Sequence, residues 1–174
     1  MVTTVRPRVR AGAAALAAAL TAGMAVGIVT TAPSASGITM KSSRPDPQYW
    51  SDRYNKRVEF LINRERRRHG LRSVGQTGCA ASWAASWSHK LAENDEFEHS
   101  NLGGLLDRCH ATYASENIAM IYDGARPRDV VALWMNSPGH RHNILSGKPS
   151  STGVSVRWDS NREAWILVQN FVRR

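Results

Sequence analysis

Cysteine is scarce in this 174-residue chain: only Cys79 and Cys109 occur, and neither sits in a recognisable catalytic context. None stands in the small-residue stretch Ala32–Ser36, which argues against a lipid-anchored form. The arginines of the first ten residues, Arg6, Arg8 and Arg10, are never adjacent, so a twin-arginine export route has no support. Acidic side chains are few as well, 14 against 23 Lys and Arg, for a net charge of +9 with His neutral. Such charge draws a protein to anionic polymers or headgroups but identifies no ligand. The densest basic run, Arg64–Arg72, lacks interleaved aromatic side chains. It reads as a solvated helix face, and no nucleic acid partner is expected. Internal repeats are missing, and low complexity is confined to the Ala-rich start.

What is present begins with an export leader. The three arginines precede Ala11–Thr31, a charge-free and Ala-rich run, and Ala32-Pro33-Ser34-Ala35-Ser36 suits signal-peptidase cleavage near Ser36 or Gly37. Residues 1–36 are therefore expected to be a signal peptide and the product to be secreted, with cell-envelope association open to it. Membrane contact would arise only where this segment stays uncleaved. The Ser- and Pro-containing stretch Gly37–Gln48 is expected to be a flexible leader to a single domain over residues 49–174. Taking 36 residues from 174 leaves 138, enough volume for a core, with 20 basic side chains against 14 acidic ones. In an exported chain an even cysteine count points to a Cys79–Cys109 disulfide. It would close a loop of about 30 residues and contribute ~3 to 4 kcal/mol in the chain-entropy model. A monomer is expected.

Hydrophobic spacing predicts a helix from about Tyr49 to His69, ended by Gly70, with Tyr54, Val58, Leu61, Ile62 and Glu65 on one face. A second spans roughly Cys79–Asn94, where Ala80, Trp83, Ala84, Trp87 and Leu91 form a core stripe. Periodicity then fades, and Asp95–Ser115 reads as a loop carrying His99. Ala119–Tyr122 reads as a short strand, Pro127–Met135 as a helix, and His140–Leu145 as a helical turn. Period-two patterns over Val154–Trp158 and Ala164–Val172, joined by Asp159-Ser160-Asn161-Arg162, predict two antiparallel strands. Helices first and a sheet late indicate an α+β domain.

Three polar motifs stand out: Phe97-Glu98-His99-Ser100, Ser115-Glu116-Asn117-Ile118-Ala119, and Trp134-Met135-Asn136-Ser137-Pro138-Gly139-His140-Arg141-His142-Asn143-Ile144-Leu145. His and Glu bind divalent metals or move protons. His99 and His140 can offer two neutral imidazoles to zinc or another divalent metal, and Glu116 can orient a ligand histidine or act as a base on bound water. Two protein ligands make a weak site, and the blander reading is a polar network that holds loops. His142, two residues from His140, points away from it on a helical turn. His110 reads as a loop residue, and His69 and His89 carry no motif. Ser137 before Pro138 suits helix termination, with a serine nucleophile at Ser137 or Ser100 as a minor alternative. Asn117, Asn143 and Asn170 read as scaffold groups that bridge backbone donors and acceptors.

The ordered set Leu61-Ile62-Asn63-Arg64-Glu65-Arg66 with Gly70-Leu71, Glu98-His99-Ser100, Glu116-Asn117-Ile118-Ala119, Trp134-x-x-Ser137-Pro138-Gly139-His140-Arg141-x-Asn143-Ile144-Leu145, Gly153-Val154 and Val168-Gln169-Asn170-Phe171 resembles the CAP superfamily. That group comprises the SCP or cysteine-rich secretory proteins, antigen 5 and pathogenesis-related 1, and the resemblance is to its bacterial single-domain branch over about residues 54–172. It implies a three-layer α-β-α sandwich with a central, mainly antiparallel sheet. It also implies a cleft lined by two histidines and two glutamates that can take a divalent metal. Carried over by motif, the cleft residues are His99, Glu116 and His140, with Ser137 where the second glutamate is expected.

The resemblance leaves two functions in view. One is a secreted binding or scaffold module for a small apolar molecule, lipid or envelope glycan, with any metal weakly held. The other is a metal-dependent extracellular hydrolase, with His99 and His140 as ligands and Glu116 as catalytic base. Ser137 cannot serve as a carboxylate base, which favours binding.

Overall fold

The computed structural model describes residues 2–5, 47–94, 97–122 and 126–174. Their elements are β1 (Val2–Val5), α1 (Pro47–Arg68), β2 (Gly75–Gln76), α2 (Gly78–Glu93), α3 (Leu102–Cys109), β3 (Tyr113–Ile121), α4 (Pro127–Asn136), α5 (Pro138–Ile144), β4 (Ser151–Asp159) and β5 (Ala164–Arg173). The strands form one sheet in the order β1-β3-β5-β4-β2. β5 is central and antiparallel to both long neighbours, from Tyr113↔Arg173 to Ile121↔Trp165 on one side and from Ser151↔Val172 to Asp159↔Ala164 on the other. β1 and β2 add short parallel pairings at the edges.

Strand alternation sorts the core into two layers. Ala119, Val154, Val156, Leu167 and Phe171 face α1, α4 and α5, packing with Val58, Leu61, Ile62, Trp134 and Ile144. Ile118, Met120, Ile166 and Val168 face the other way, onto Ala84 and Leu91 of α2. On that side α3 sets Leu105 and Cys109 against Ala80 and Val172. The result is the α-β-α sandwich with a mainly antiparallel sheet that the resemblance implied.

Local chemistry sets the boundaries. α1 ends where Gly70 takes φ +73°, a left-handed conformation that glycine adopts without a Cβ clash. The Leu71 amide then donates back to the Arg66 carbonyl at 3.0 Å. α2 lies directly on β4 because Gly153 has no side chain. A Cβ there would stand 2.1 Å from the Ala81 nitrogen and 2.4 Å from the Ala80 carbonyl carbon. The Cys79–Cys109 disulfide forms as expected, joining the start of α2 to the end of α3 with Cα atoms 5.7 Å apart.

Three expectations change. The segment read as a loop, Asp95–Ser115, contains α3 and the start of β3. Asn101 caps α3 by accepting from the Gly103 and Gly104 amides at 3.0 and 3.3 Å, and the two glycines mask its helical spacing. β3 begins at Tyr113, well before Ala119, because Ser115–Met120 is buried on both faces and shows no alternation. The Arg64–Arg72 run is not wholly solvated either. Arg66 is buried and donates to the carbonyls of Arg72, Ile144 and Ser146 at 2.9, 2.7 and 2.7 Å. The expected signal peptide and flexible leader lie outside the described residues apart from β1 and the first two residues of α1. No described helix is long and apolar enough to cross a membrane.

Candidate functional site

The site is built around β3. Its alternation sends Glu116 toward the α2 layer and Asn117 toward the α5 layer. Glu116 is a buried carboxylate whose Oε1 meets His99 Nδ1 at 2.8 Å and accepts from the Ser100 amide at 2.9 Å. An ionised carboxylate only accepts, so Nδ1 carries the proton. The second oxygen, Glu116 Oε2, is buried without a hydrogen-bond partner among the described residues. Of the pair, His99 reaches solvent, with 34% of its side chain exposed against 1% for Glu116.

Two tryptophans hold His99 in place. The Trp87 indole donates to the Glu98 carbonyl and the Trp83 indole to the Ser100 hydroxyl, each at 3.1 Å, so the loop is tied to α2 on both sides of His99. Their rings pack against the core as the helical spacing predicts. Their polar N–H groups, four residues apart on one helix face, were the available sign that they also position a loop.

On the other face, α5 is fastened to β3 by amide side chains. Asn143 Nδ2 donates to the Glu116 carbonyl and to Asn117 Oδ1, both at 3.0 Å. Asn117 Nδ2 in turn reaches Gln169 Oε1 at 3.2 Å and the His140 carbonyl at 3.4 Å. Asn117 and Asn143 are thus the scaffold groups expected, and Gln169 joins them. His140 is buried on α5, its ring 6.5 Å from Trp134. Ser137 is half-buried at the junction of α4 and α5, where it closes one helix and opens the next. His110 caps α3 in a left-handed conformation, His142 is exposed, His69 lies just past α1 and bonds to the Glu65 carbonyl, and His89 pairs with Glu93 on α2.

The structure therefore brings His99 and Glu116 into direct contact, while His140 approaches β3 from the opposite layer. The donor set does not fit a resident divalent metal. Glu116 Oε1 is committed to His99 and Ser100, and the described residues contain no group of three His, Cys, Asp or Glu side chains able to hold an ion. Zinc on His99 and His140 would lack a third such protein ligand among the described residues. What the pair offers is an imidazole fixed in tautomer and direction by a buried carboxylate.

Residues 60–171 match the family model described as the cysteine-rich secretory protein family, CAP. YkwD of Bacillus subtilis (strain 168), an uncharacterized protein, is 32% identical over 126 residues, which cover 68% of this chain and 47% of YkwD. A cysteine-rich secretory protein of Staphylococcus aureus subsp. aureus Mu50 superposes with a TM-score of 0.61 at 23% identity, covering 74% of this chain and 40% of that one. An extracellular protein containing an SCP domain, from Bacillus anthracis str. Ames, gives a TM-score of 0.58 at 28% identity, with coverage of 71% and 41%. This chain thus spans less than half the length of each of these relatives. The protein belongs to the cysteine-rich secretory protein, or CAP, family.

Proposed function

We propose that the protein is a secreted binding or scaffold module whose His99–Glu116 pair receives the hydroxyl of a small apolar molecule, lipid or envelope glycan. The carrying observation is the state of Glu116: buried, with one oxygen saturated by His99 and Ser100. A carboxylate so engaged orients an imidazole; it is poorly placed to be the water-activating base that the hydrolase alternative requires. The oriented imidazole, with 34% of its side chain exposed, meets the ligand hydroxyl, and the ring supplies an apolar face beside it. Secretion is supported by the basic and Ala-rich leader and by the kinship with an extracellular SCP-domain protein.

The test is titration of the purified domain with sterols, fatty acids and cell-wall glycan fragments, followed by tryptophan fluorescence. Trp83 and Trp87 clamp the His99 loop, so occupancy is reported there. Saturable binding to at least one class is expected, weakened about tenfold by His99→Ala, the loss of one good hydrogen bond. Binding that is indifferent to His99→Ala and Glu116→Gln would remove the site from the reading. Turnover of a glycan or ester by the wild type, lost in Glu116→Gln, would replace it with the enzyme.

A further inference from the structure

A groove of about 620 Å³ opens between α1, α2 and β4, and it shares no lining residue with the His99, Glu116, Ser137 and His140 cluster. Asn55 and Lys56 form part of one wall and Ser82 and Ala85 part of the other, and all five residues from Val154 to Trp158 line it as well. Consecutive strand residues point to opposite faces of a sheet. Five in succession can line one groove only if what they share, the backbone edge of β4, is its floor.

That edge carries a row of hydrogen-bonding groups. β4 is paired along its whole length with β5 on one side, but on the other β2 covers only Ser151 and Thr152. The Thr77 amide donates to the Thr152 carbonyl at 3.0 Å, and the Val154 amide donates to the Glu59 carboxylate. By alternation, the amides and carbonyls of Val156 and Trp158 face the same way, into the groove. Beyond Val154, whose amide Glu59 takes, the edge from Val156 to Trp158 spans about 7 Å at ~3.3 Å per residue, in line with β2.

We infer that this groove binds an extended acidic peptide by strand addition to β4, with an apolar side chain against Trp158. Continuity with the β2 pairing supplies the main-chain register, and strand addition to a sheet edge is a general mode of peptide recognition. Lys56 and Arg157 beside the groove, on a domain with 20 basic side chains against 14 acidic ones, favour acidic side chains despite the neighbouring Asp52. Trp158 is 45% exposed and stacks edge-on against Trp165 with centroids 5.1 Å apart, a rigid apolar stop at the end of the groove. A second copy of this chain cannot be the occupant through β4, because its own edge is recessed between the same helices. The inference is independent of the His99 site, and its failure leaves that reading untouched.

The experiment is fluorescence anisotropy with a labelled, blocked heptapeptide of alternating Val and Glu. Two isomers of it are compared, N-methylated on the odd or on the even amides. One methylation register should weaken binding at least about tenfold and the other leave it intact, since only one set of amides faces β4. Val156→Pro, which removes an amide facing the groove, should abolish binding, and Trp158→Ala should weaken it. Equal binding of both isomers, or no binding at roughly 1 mM, a very weak affinity, overturns the proposal. So does a response of Trp158 fluorescence to a neutral cell-wall oligosaccharide when the peptide is inert.

Discussion

Replacing Arg66 with Met should cost far more than any other substitution in the basic run of α1. The guanidinium is 2% exposed and donates to three carbonyls, two of them at the C-terminal end of α5, Ile144 and Ser146. Helix ends leave carbonyls without intrahelical partners, and a cation there also meets the negative end of the helix dipole. Burial pulls the Arg66 pKa down from the ordinary arginine range, so part of each bond's gain is already spent on desolvation. Hydrogen bonds involving a charged group contribute ~1.5 to 3 kcal/mol apiece, and after desolvation we expect a net loss of about 3 kcal/mol. In urea, with a slope near ~1.5 kcal/mol/M, the unfolding midpoint should fall by about 2 M. Arg67→Met is the control: Arg67 is exposed, donates to the Ser73 hydroxyl at 2.9 Å, and should change stability by less than ~0.5 kcal/mol. Because α5 carries His140, the Arg66 variant should also speed hydrogen exchange at His140 and Asn143. A loss below about 1 kcal/mol, or equal losses from Arg66→Met and Arg67→Met, would refute the reasoning.

Two further changes test the packing and the charge pattern. Gly153→Ala puts a methyl group against helix backbone that cannot swing aside, so α2 must move; a loss of about 3 kcal/mol in thermal unfolding is expected, and an unchanged melting temperature would mean that α2 is not seated on β4 as described. Burial pushes the Asp159 carboxyl up, but the Arg162 guanidinium at 2.6 Å and the backbone amides of Asn161 and Arg162 outweigh it and hold the pKa below the usual range. A depressed folded-state pKa means stability that is present above the unfolded value, near ~3.9, and is lost as pH falls through the folded one. Asp159→Asn should therefore cost about 2 kcal/mol at neutral pH, with the gap to wild type closing in acid; a gap that is constant with pH would assign the loss to geometry alone.

The elements with strong periodicity were legible in the sequence. α1, α2, α4 and the β4–β5 hairpin fall close to where hydrophobic spacing, Pro127 and the Asp159–Arg162 turn put them. α3 was not, since Gly103 and Gly104 dilute its apolar stripe and the capping role of Asn101 depends on geometry. β3 was cut short because a strand covered on both faces loses the alternation by which strands are recognised. In the site, the His99, Glu116 and His140 motifs were visible as residue types. The roles of Trp83, Trp87, Gln169 and Arg66 were not, because each acts through a polar atom on a side chain that its spacing marks as core or surface. The division of His99 and His140 between layers likewise depends on the parity of β3, which no motif reveals.

The central place of β5 sets when this protein can fold. β3 and β4 each find their main partner in Ala164–Arg173, the last of the described strands in chain order, and the β3 pairing closes a loop of more than 40 residues. Until that strand is available, the two hydrophobic layers have no common wall to pack against, and α1 and α2 are left as amphipathic helices without a core. Collapse of either layer onto the sheet therefore requires Ala164–Arg173 to be in place. The two layers are thereby made to form together, since neither has a wall until the strand they share is seated.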